Sequence, residues 1–454
     1  SMPVYKDAGQ SVLSASINKT GYFTFRATKV GNDTTLSQII RLVEEASASK
    51  APISKMADRI SAVFVPVVIA IAIVSVIVWL LLGYPFDFAL SIGIAVLVIS
   101  CPCALGLATP VAIMVGTGKG AEYGLLFKSA EALETTHKIN TVVLDKTGTL
   151  TEGKPKITDI ISDNNLNENE LLQLAYSLEK ASEHLLADAV IFEAEKRNLQ
   201  LLDIENFITI PGRGIQADIS GNRYTAGNIQ LMNENNIVSK DFVVIANQWA
   251  EEGKTPLFIA KDQMAIGLIG VADVLKENSK SVISRLKEMG LEVIMLTGDN
   301  SKTAQYIQHL LGISASVSEV LPQDKEKEIV RLQNEGKIVA MVGDGINDAP
   351  ALVRADVGIA IGAGTDIAIE SADVVLMRNN LIDVVAAFQL SKSVIINIKQ
   401  NLFWAFFYNI IGIPLAAGVF YALLGWKLNP MFAAGAMSFS SVSVVLNSLR
   451  LMKF

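Results

Sequence analysis

The 454-residue chain holds only two cysteines, Cys101 and Cys103, one residue apart. So little cysteine excludes a disulfide-braced scaffold. Charge is scarce as well: Asp, Glu, Lys and Arg make up 18% of the chain, below the roughly 25% of ordinary globular domains. The net charge is −7 and no basic block stands out, which argues against a nucleic-acid partner. Intrinsic disorder is excluded by the opposite excess, since 51% of the residues are hydrophobic. Residues 1–59 carry no signal peptide, and the chain has no internal repeat or low-complexity tract. A soluble chain of this length would form roughly two to four domains, but a mean hydropathy of +0.40 is too high for one.

The apolar residues are gathered rather than spread. Runs at 60–82, 86–116, 402–425 and 430–448 contain no Lys or Arg. About 20 helical residues cross a hydrocarbon core of about 30 Å, so each run is long enough to span a membrane. The loop at 83–87 has no basic residue, whereas Lys55, Arg59, Lys119, Lys128, Lys392, Lys399, Arg450 and Lys453 flank the other ends. That bias places both termini and the 119–399 stretch in the cytoplasm, with Lys427 a minor exception. Within this stretch short Val/Ile runs, such as Thr141–Leu144, Glu292–Leu296 and Ile338–Val342, alternate with amphipathic segments. This is the pattern of a parallel α/β sheet. Upstream, Val12–Thr20 and Gly21–Val30 read as strands and 35–50 as an amphipathic helix, the end of a β-rich domain with exposed edges.

Three strand ends carry chemistry. Asp145-Lys146-Thr147-Gly148-Thr149-Leu150 follows the first Val/Ile run. A carboxylate at the C-terminal end of a parallel strand stands where such sheets bind ligands, and an aspartate there can accept a phosphoryl group. Thr297-Gly298-Asp299-Asn300 follows the second run, and Gly343-Asp344-Gly345-Ile346-Asn347-Asp348 the third. Hard carboxylate oxygens of this kind suit Mg²⁺. Lys325, in Pro322-Gln323-Asp324-Lys325, offers positive charge to a transferring phosphoryl group.

With these motifs the chain resembles the heavy-metal-transporting P-type ATPases, and most closely their copper(I)-exporting branch, over essentially all of its length. The resemblance implies a multidomain membrane protein. Transmembrane α-helices would join an α/β haloacid-dehalogenase-like phosphorylation domain with an inserted α+β nucleotide-binding domain. It implies Asp145 as phosphoryl acceptor, within the Asp145-Lys146-Thr147 motif. Asp145, Asp344 and the Thr147 carbonyl would hold Mg²⁺, and Thr297, Gly298, Asp299, Lys325, Asn347 and Asp348 would surround the phosphate. For ATP it implies Glu179, His184, Gly212, Gly214 and Asn228. Leu185 follows His184 where the family usually has proline, so a fixed φ beside the histidine is lost. The expected division is an actuator remnant at 1–50, two membrane helices at 51–118, phosphorylation-domain parts at 119–154 and 271–392, a nucleotide-binding domain at 155–270, and two membrane helices at 393–454.

Cys101-Pro102-Cys103 lies inside the second apolar run. Proline there unwinds the helix and lets two soft thiolates face the bundle interior together, suited to Cu⁺ as well as Zn²⁺. After Asp383 the chain contains no Asp or Glu. A divalent ion would need more compensation than two thiolates in so apolar a site, whereas Cu⁺ with two thiolates is already net −1. Neutral partners then suffice, and Tyr408, Asn409, Met437 and Ser441 match the copper branch's remaining site residues. The Lys and Asp typical of the zinc and cadmium branch are absent from these spans. Ag⁺ shares the charge and softness of Cu⁺. Asp58 aligns with the family's entrance aspartate, beside Met56, where a copper-delivering chaperone or small thiol carrier would release the ion.

The sequence thus reads as an ATP-driven Cu⁺ exporter, multi-pass in a lipid bilayer, expected in a bacterial plasma membrane with its catalytic domains cytoplasmic. Relatives carry a catalytic Thr-Gly-Glu immediately before a Ser-Met-Pro-Val-like sequence, and this chain begins Ser1-Met2-Pro3-Val4. The expectation is a truncated form that lacks the dephosphorylating glutamate and turns over poorly. An added serine before a start at Met2 is the other account of the same beginning. Two rival readings are a non-transporting nucleotide- and metal-binding membrane fragment and a membrane-tethered aspartyl phosphatase.

Overall fold

The computed structural model describes residues 24–27, 30, 35–48, 51–101, 103–163, 166–182, 186–210, 212–237, 240–321, 324–344, 348–362 and 370–453. Most of the two strands expected between Val12 and Val30 lies outside these residues. The chain divides into two compact units, Ser1–Ile139 with Asp356–Phe454, and Asn140–Ala355.

The first unit opens with α1 (Thr35–Ala48), α2 (Pro52–Leu81), α3 (Phe86–Ile99), α4 (Cys103–Glu122), β1 (Leu125–Phe127) and α5 (Ala130–Lys138). Pro52 sits in the first turn of α2, where a missing N–H costs nothing. The Ile53 N–H of that same turn donates to Glu134 Oε2 at 2.8 Å. α3 unwinds at its end: the Ser100 N–H still reaches back four residues to Val96, but the Cys101 N–H reaches back only three, to Val98. A second helix, α4, starts at Cys103.

The second unit holds two sheets. The first comprises β2 (Thr141–Asp145), β9 (Glu292–Leu296), β10 (Ala315–Val317) and β11 (Val339–Gly343), parallel in the order β11-β2-β9-β10. β2 and β11 are buried along their whole length, which is why they read as unbroken apolar runs rather than alternating ones. Around them stand α10 (Ser279–Glu288), α11 (Ser301–Leu311), α12 (Lys325–Asn334) and α13 (Ala349–Arg354). Ile329, Leu332, Ala351 and Leu352 of α12 and α13 close one face over Val143, Ile294 and Met341.

Between β2 and β9 the chain builds an antiparallel sheet, β3-β8-β7-β6-β5-β4 in order, from β3 (Thr151–Ser162), β4 (Glu205–Ile210), β5 (Gly214–Ile219), β6 (Asn222–Gly227), β7 (Thr255–Lys261) and β8 (Met264–Leu275). Alternate residues of β7 face opposite cores. Leu257 and Ile259 meet α6 (Glu168–Glu179) and α7 (Ala187–Lys196). Phe258 and Ala260 meet Met232 of α8 (Ile229–Glu234) and Trp249 of α9 (Lys240–Glu251). This is the period-two signature of a strand covered on both sides.

The first unit resumes with β12 (Val357–Ile361) and β13 (Val374–Leu376), which pairs antiparallel with β1. The 35-residue α14 (Ile382–Ala416) follows, then α15 (Tyr421–Leu424) and α16 (Pro430–Leu449). Asp383, 1% exposed in the first turn of α14, takes a two-pronged ion pair from Arg378 at 2.6 and 2.9 Å. The carboxylate also suits the positive end of the helix dipole there.

The third expected span, 402–425, is not a helix of its own. It is the second half of α14, followed by a turn at Gly418 (φ +79°) and α15. Lys399, Gln400 and Asn401 dilute apolarity without breaking helicity, so the run's polar edge is not a helix end. For the same reason the boundary expected at 392/393 falls inside one uninterrupted helix. Among the described residues three stretches are long and apolar enough to cross a membrane: Pro52–Leu81, Phe86–Glu122 and Pro430–Lys453. Trp79, Tyr84, Phe88 and Tyr421 cluster where α2 and α3 meet, with ring centroids 4.8–5.9 Å apart. Such rings suit a membrane–water boundary.

Candidate active site and ion path

Register brings the three loops together. Asp145 pairs with Leu296, and Leu144 with Val342. The parallel strands therefore stop level, and the 145, 297 and 343 loops share one edge. Lys325, at the start of α12, sits among them with its Nζ 2.6 Å from both Asp145 Oδ1 and Asp348 Oδ1. All three groups are buried. A second cation, Lys146 Nζ, lies 2.6 Å from Asp299 Oδ2. Thr297, 2% exposed, accepts the Asp299 N–H on its hydroxyl and so closes its own loop.

Burial and the neighbouring Asp348 push the Asp145 carboxyl up to about 7, against the pull of Lys325. Burial raises Asp348 as well. Lys325, although burial opposes it, is held above its ordinary value by the two carboxylates. Asp344 reaches in from just past the end of β11: a Cβ on Gly148 would lie 3.1 Å from Asp344 Oδ2, and Gly148 takes φ +74°. Asp348 Oδ2 is buried without a hydrogen-bond partner. Lys325 bridges Asp145 and Asp348, one oxygen of Asp348 is unserved, and Asp344 adds a third carboxylate beside them, a hard-oxygen donor set that fits a divalent cation. Asn347 lies outside the described residues.

Two groups missed in the sequence brace the loop after Asp145. Asp273 accepts the Thr151 hydroxyl at 2.5 Å and the Gly153 N–H at 2.9 Å. Lys276 Nζ donates to the Gly148 carbonyl at 2.9 Å. Their only mark in the sequence is an Asp-x-x-Lys at the end of the return strand β8.

Of the residues expected to meet ATP, three come together. Gly214 pairs with Gly227 across β5 and β6, and a Cβ on Gly214 would strike the Ala226 carbonyl at 2.2 Å. Asn228 caps α8 by accepting the Leu231 N–H, and its Nδ2 donates to the Gly212 carbonyl at 3.1 Å. Glu179 closes α6, 4% exposed, with Oε2 buried and unpartnered. Burial pushes it up to about 7, opposed by a hydrogen bond with Ser182. His184 lies outside the described residues.

In the first unit, two packing layers bracket Cys101. On one side Ile99 meets Ala416 and Ala433. On the other, Ala104 and Ala108 meet Ala405 and Val444. Tyr408 and Asn409 fall between Ala405 and Ala416 on α14, and Met437 and Ser441 between Ala433 and Val444 on α16. The five groups thus share one level of the bundle. Asn409 is 8% exposed on the face of Ala405, Gly412 and Ala416. Tyr408 lines a cavity of about 180 Å³. Asp58 is exposed on α2. Pro102 and the side chains of Cys103 and Met56 lie outside the described residues.

Residues 139–356 match the haloacid dehalogenase-like hydrolase family and residues 1–44 the P-type ATPase actuator domain. Copper-exporting P-type ATPases of Staphylococcus saprophyticus and Bacillus subtilis are 51% and 49% identical, over 99% and 100% of this chain. The chain spans 56% of the length of each. A solved zinc-transporting PIB-type ATPase in the E2.Pi state superposes with TM-score 0.78 at 34% identity, covering 93% of this chain and 68% of that one.

Proposed function

The chain belongs to the heavy-metal-transporting P-type ATPases, and from that membership we propose that it is an ATP-driven exporter of Cu⁺, and of the similar Ag⁺, phosphorylated on Asp145. One observation carries the reading: a buried aspartate at a strand end whose oxygen lies 2.6 Å from a buried lysine. Asp145 attacks the γ-phosphorus of ATP. A bond forms from its oxygen to phosphorus, the bond from phosphorus to the bridging oxygen breaks, and ADP leaves with that electron pair. Lys325 stands where charge gathers on the transferring oxygens, and a fixed positive charge there stabilises the transition state without having to reorganise during the reaction. When bound, Mg²⁺ would supply positive charge to the transferring phosphoryl group, and Asp145, Asp344 and the Thr147 carbonyl would hold it. Glu179, His184 and the Gly212–Gly214 loop that Asn228 ties down would bind the nucleotide.

Copper is favoured over zinc by the ion path. Cys101, disulfide-bonded in this structure, would with Cys103 supply two thiolates once reduced, and Tyr408, Asn409, Met437 and Ser441 add only neutral groups. α14 holds one carboxylate, Asp383, in its first turn, and α16 holds none. Asp58 would take the ion from a copper-carrying protein or small thiol. The test is labelling with γ-phosphate-labelled ATP. Label should appear as a hydroxylamine-sensitive acyl phosphate that depends on Cu⁺ and Cys101 and vanishes in Asp145→Asn. Label retained in Asp145→Asn would sink the assignment.

A further inference from the structure

α4, α14 and α16 are joined by a buried polar network that the ion path does not use. Its centre is Asn401, 1% exposed. Its Nδ2 lies 2.9 Å from Ser448 Oγ, 3.2 Å from the Ala108 carbonyl and 3.2 Å from Asn397 Oδ1. Its Oδ1 accepts from Asn447 Nδ2 at 2.9 Å. An amide NH₂ has two hydrogens, so three acceptors compete for them. Ser448 resolves the contest, since its hydroxyl donates to Asn397 Oδ1 at 3.3 Å. The Asn401 hydrogens then go to Ser448 Oγ and to the Ala108 carbonyl, and one side chain bonds α4 and α16 at once.

The network's place is what gives it meaning. Ala108 lies seven residues past Cys101, Tyr408 seven past Asn401, and Ser448 seven past Ser441. The packing layers show α14 running against α4 and α16 running with it. Seven residues are about two helical turns, or about 10 Å. On α14 and α16 the network therefore lies the same distance from Tyr408 and Ser441, and on the same side; on α4 it meets Ala108, five residues past the helix start at Cys103. Sliding any helix by one residue, about 1.5 Å, would both break the network and misalign the ion's ligands. In an apolar surrounding, a broken network leaves amides unpaired, so the register is strongly specified. Apolar contacts alone, such as Ala104 against Ala405, offer no such fixed register.

We propose that Asn401 is a positioning residue for the transported ion: it locks the register of the three helices whose side chains bind Cu⁺. The inference rests on the copper-export reading. Its test is Cu⁺ affinity of the full chain in detergent, measured by competition with a colorimetric Cu⁺ chelator. Nucleotide affinity and thermal unfolding report the fold. Asn401→Leu should weaken Cu⁺ binding about tenfold or more with nucleotide affinity unchanged. Ser448→Ala should weaken it about threefold. The double variant should be no weaker than Asn401→Leu, because both act through one bond. Folded Asn401→Leu with Cu⁺ affinity within threefold of the parent would overturn the proposal. If that variant does not fold, Ser448→Ala decides, and unchanged Cu⁺ affinity there overturns it. Cys101→Ser separates the two claims. If it binds Cu⁺ like the parent, the copper reading falls and this inference with it. If it loses Cu⁺ while Asn401→Leu does not, only the register lock falls.

Discussion

Lys325 is the residue on which most of the site's electrostatics turn. It stands between two buried carboxylates, 2.6 Å from each. Lys325→Met should leave Asp145 and Asp348 facing each other unscreened, which favours protonation of the nucleophile. Phosphoenzyme formation is expected to fall about 10²- to 10³-fold, with a loss of about 3 kcal/mol in stability from the broken buried pair. Quenched labelling alongside thermal unfolding checks both, and near-parent labelling would remove Lys325 from the mechanism. Glu179 gives a pH prediction with a definite sign. Its folded-state value, about 7, lies above its ordinary 4.5. The folded chain therefore prefers it neutral, and stability falls as pH rises from about 4.5 to 7, then levels. Glu179→Gln removes that slope. The variant should gain about 2 kcal/mol more over the parent at pH 7.5 than at pH 5.5, read as unfolding free energies. An equal effect at both pH values would show that the carboxyl titrates normally.

At the scale of elements, the strand ends were legible because a buried parallel strand must be apolar throughout and its loop must then hold the polar chemistry. β9 lies where the Val/Ile run is, at Glu292–Leu296. Two features were not legible. The Asp273–Thr151 bond joins residues 122 apart, and only the pairing of β3 with β8 brings them together. The end of the third apolar run was misplaced because hydropathy marks where a helix meets lipid, not where it stops. The two glycines of Pro211-Gly212-Arg213-Gly214 looked alike in sequence, yet they have different duties. A Cβ on Gly214 meets the Ala226 carbonyl at 2.2 Å and Gly227 Cα at 2.6 Å, whereas one on Gly212 (φ +71°) meets nothing within 4 Å. Gly212→Ala should cost about 1 kcal/mol, the left-handed backbone penalty. Gly214→Ala must spread β5 from β6 and should cost about 3 kcal/mol, with nucleotide affinity reduced about tenfold. Unfolding midpoints and a nucleotide titration check the order, and equal costs would refute the steric account.

For the molecule as a whole, the proposed function requires the phosphoryl group to pass from a nucleotide held on the antiparallel sheet to an aspartate at the edge of the parallel one. The chain makes that passage twice within the second unit, into β3 at Thr151 and out of β8 at Leu275, and those two residues are paired. Asp273 fastens the crossing by taking both the Thr151 hydroxyl and the Gly153 N–H. Thr151 Oγ1 in turn accepts the Gly148 N–H and lies 3.0 Å from the Lys146 carbonyl, and Lys276 holds the Gly148 carbonyl. One carboxylate thus sets the turn that follows Asp145, while Gly212, in the turn between β4 and β5, and Gly214, at the start of β5, sit three and more strands away. Asp273→Ala should therefore separate binding from chemistry. Nucleotide affinity is expected within about twofold of the parent, while the rate of Asp145 phosphorylation falls about 10²-fold, the usual cost of displacing a reacting group by about 1 Å. Equilibrium titration with nucleotide and rapid-quench labelling measure the two quantities on one preparation. An equal loss in both would mean that Asp273 only supports the fold. An unchanged rate would mean that the Gly148 turn holds itself, and that the crossing transmits nothing to the aspartate it adjoins.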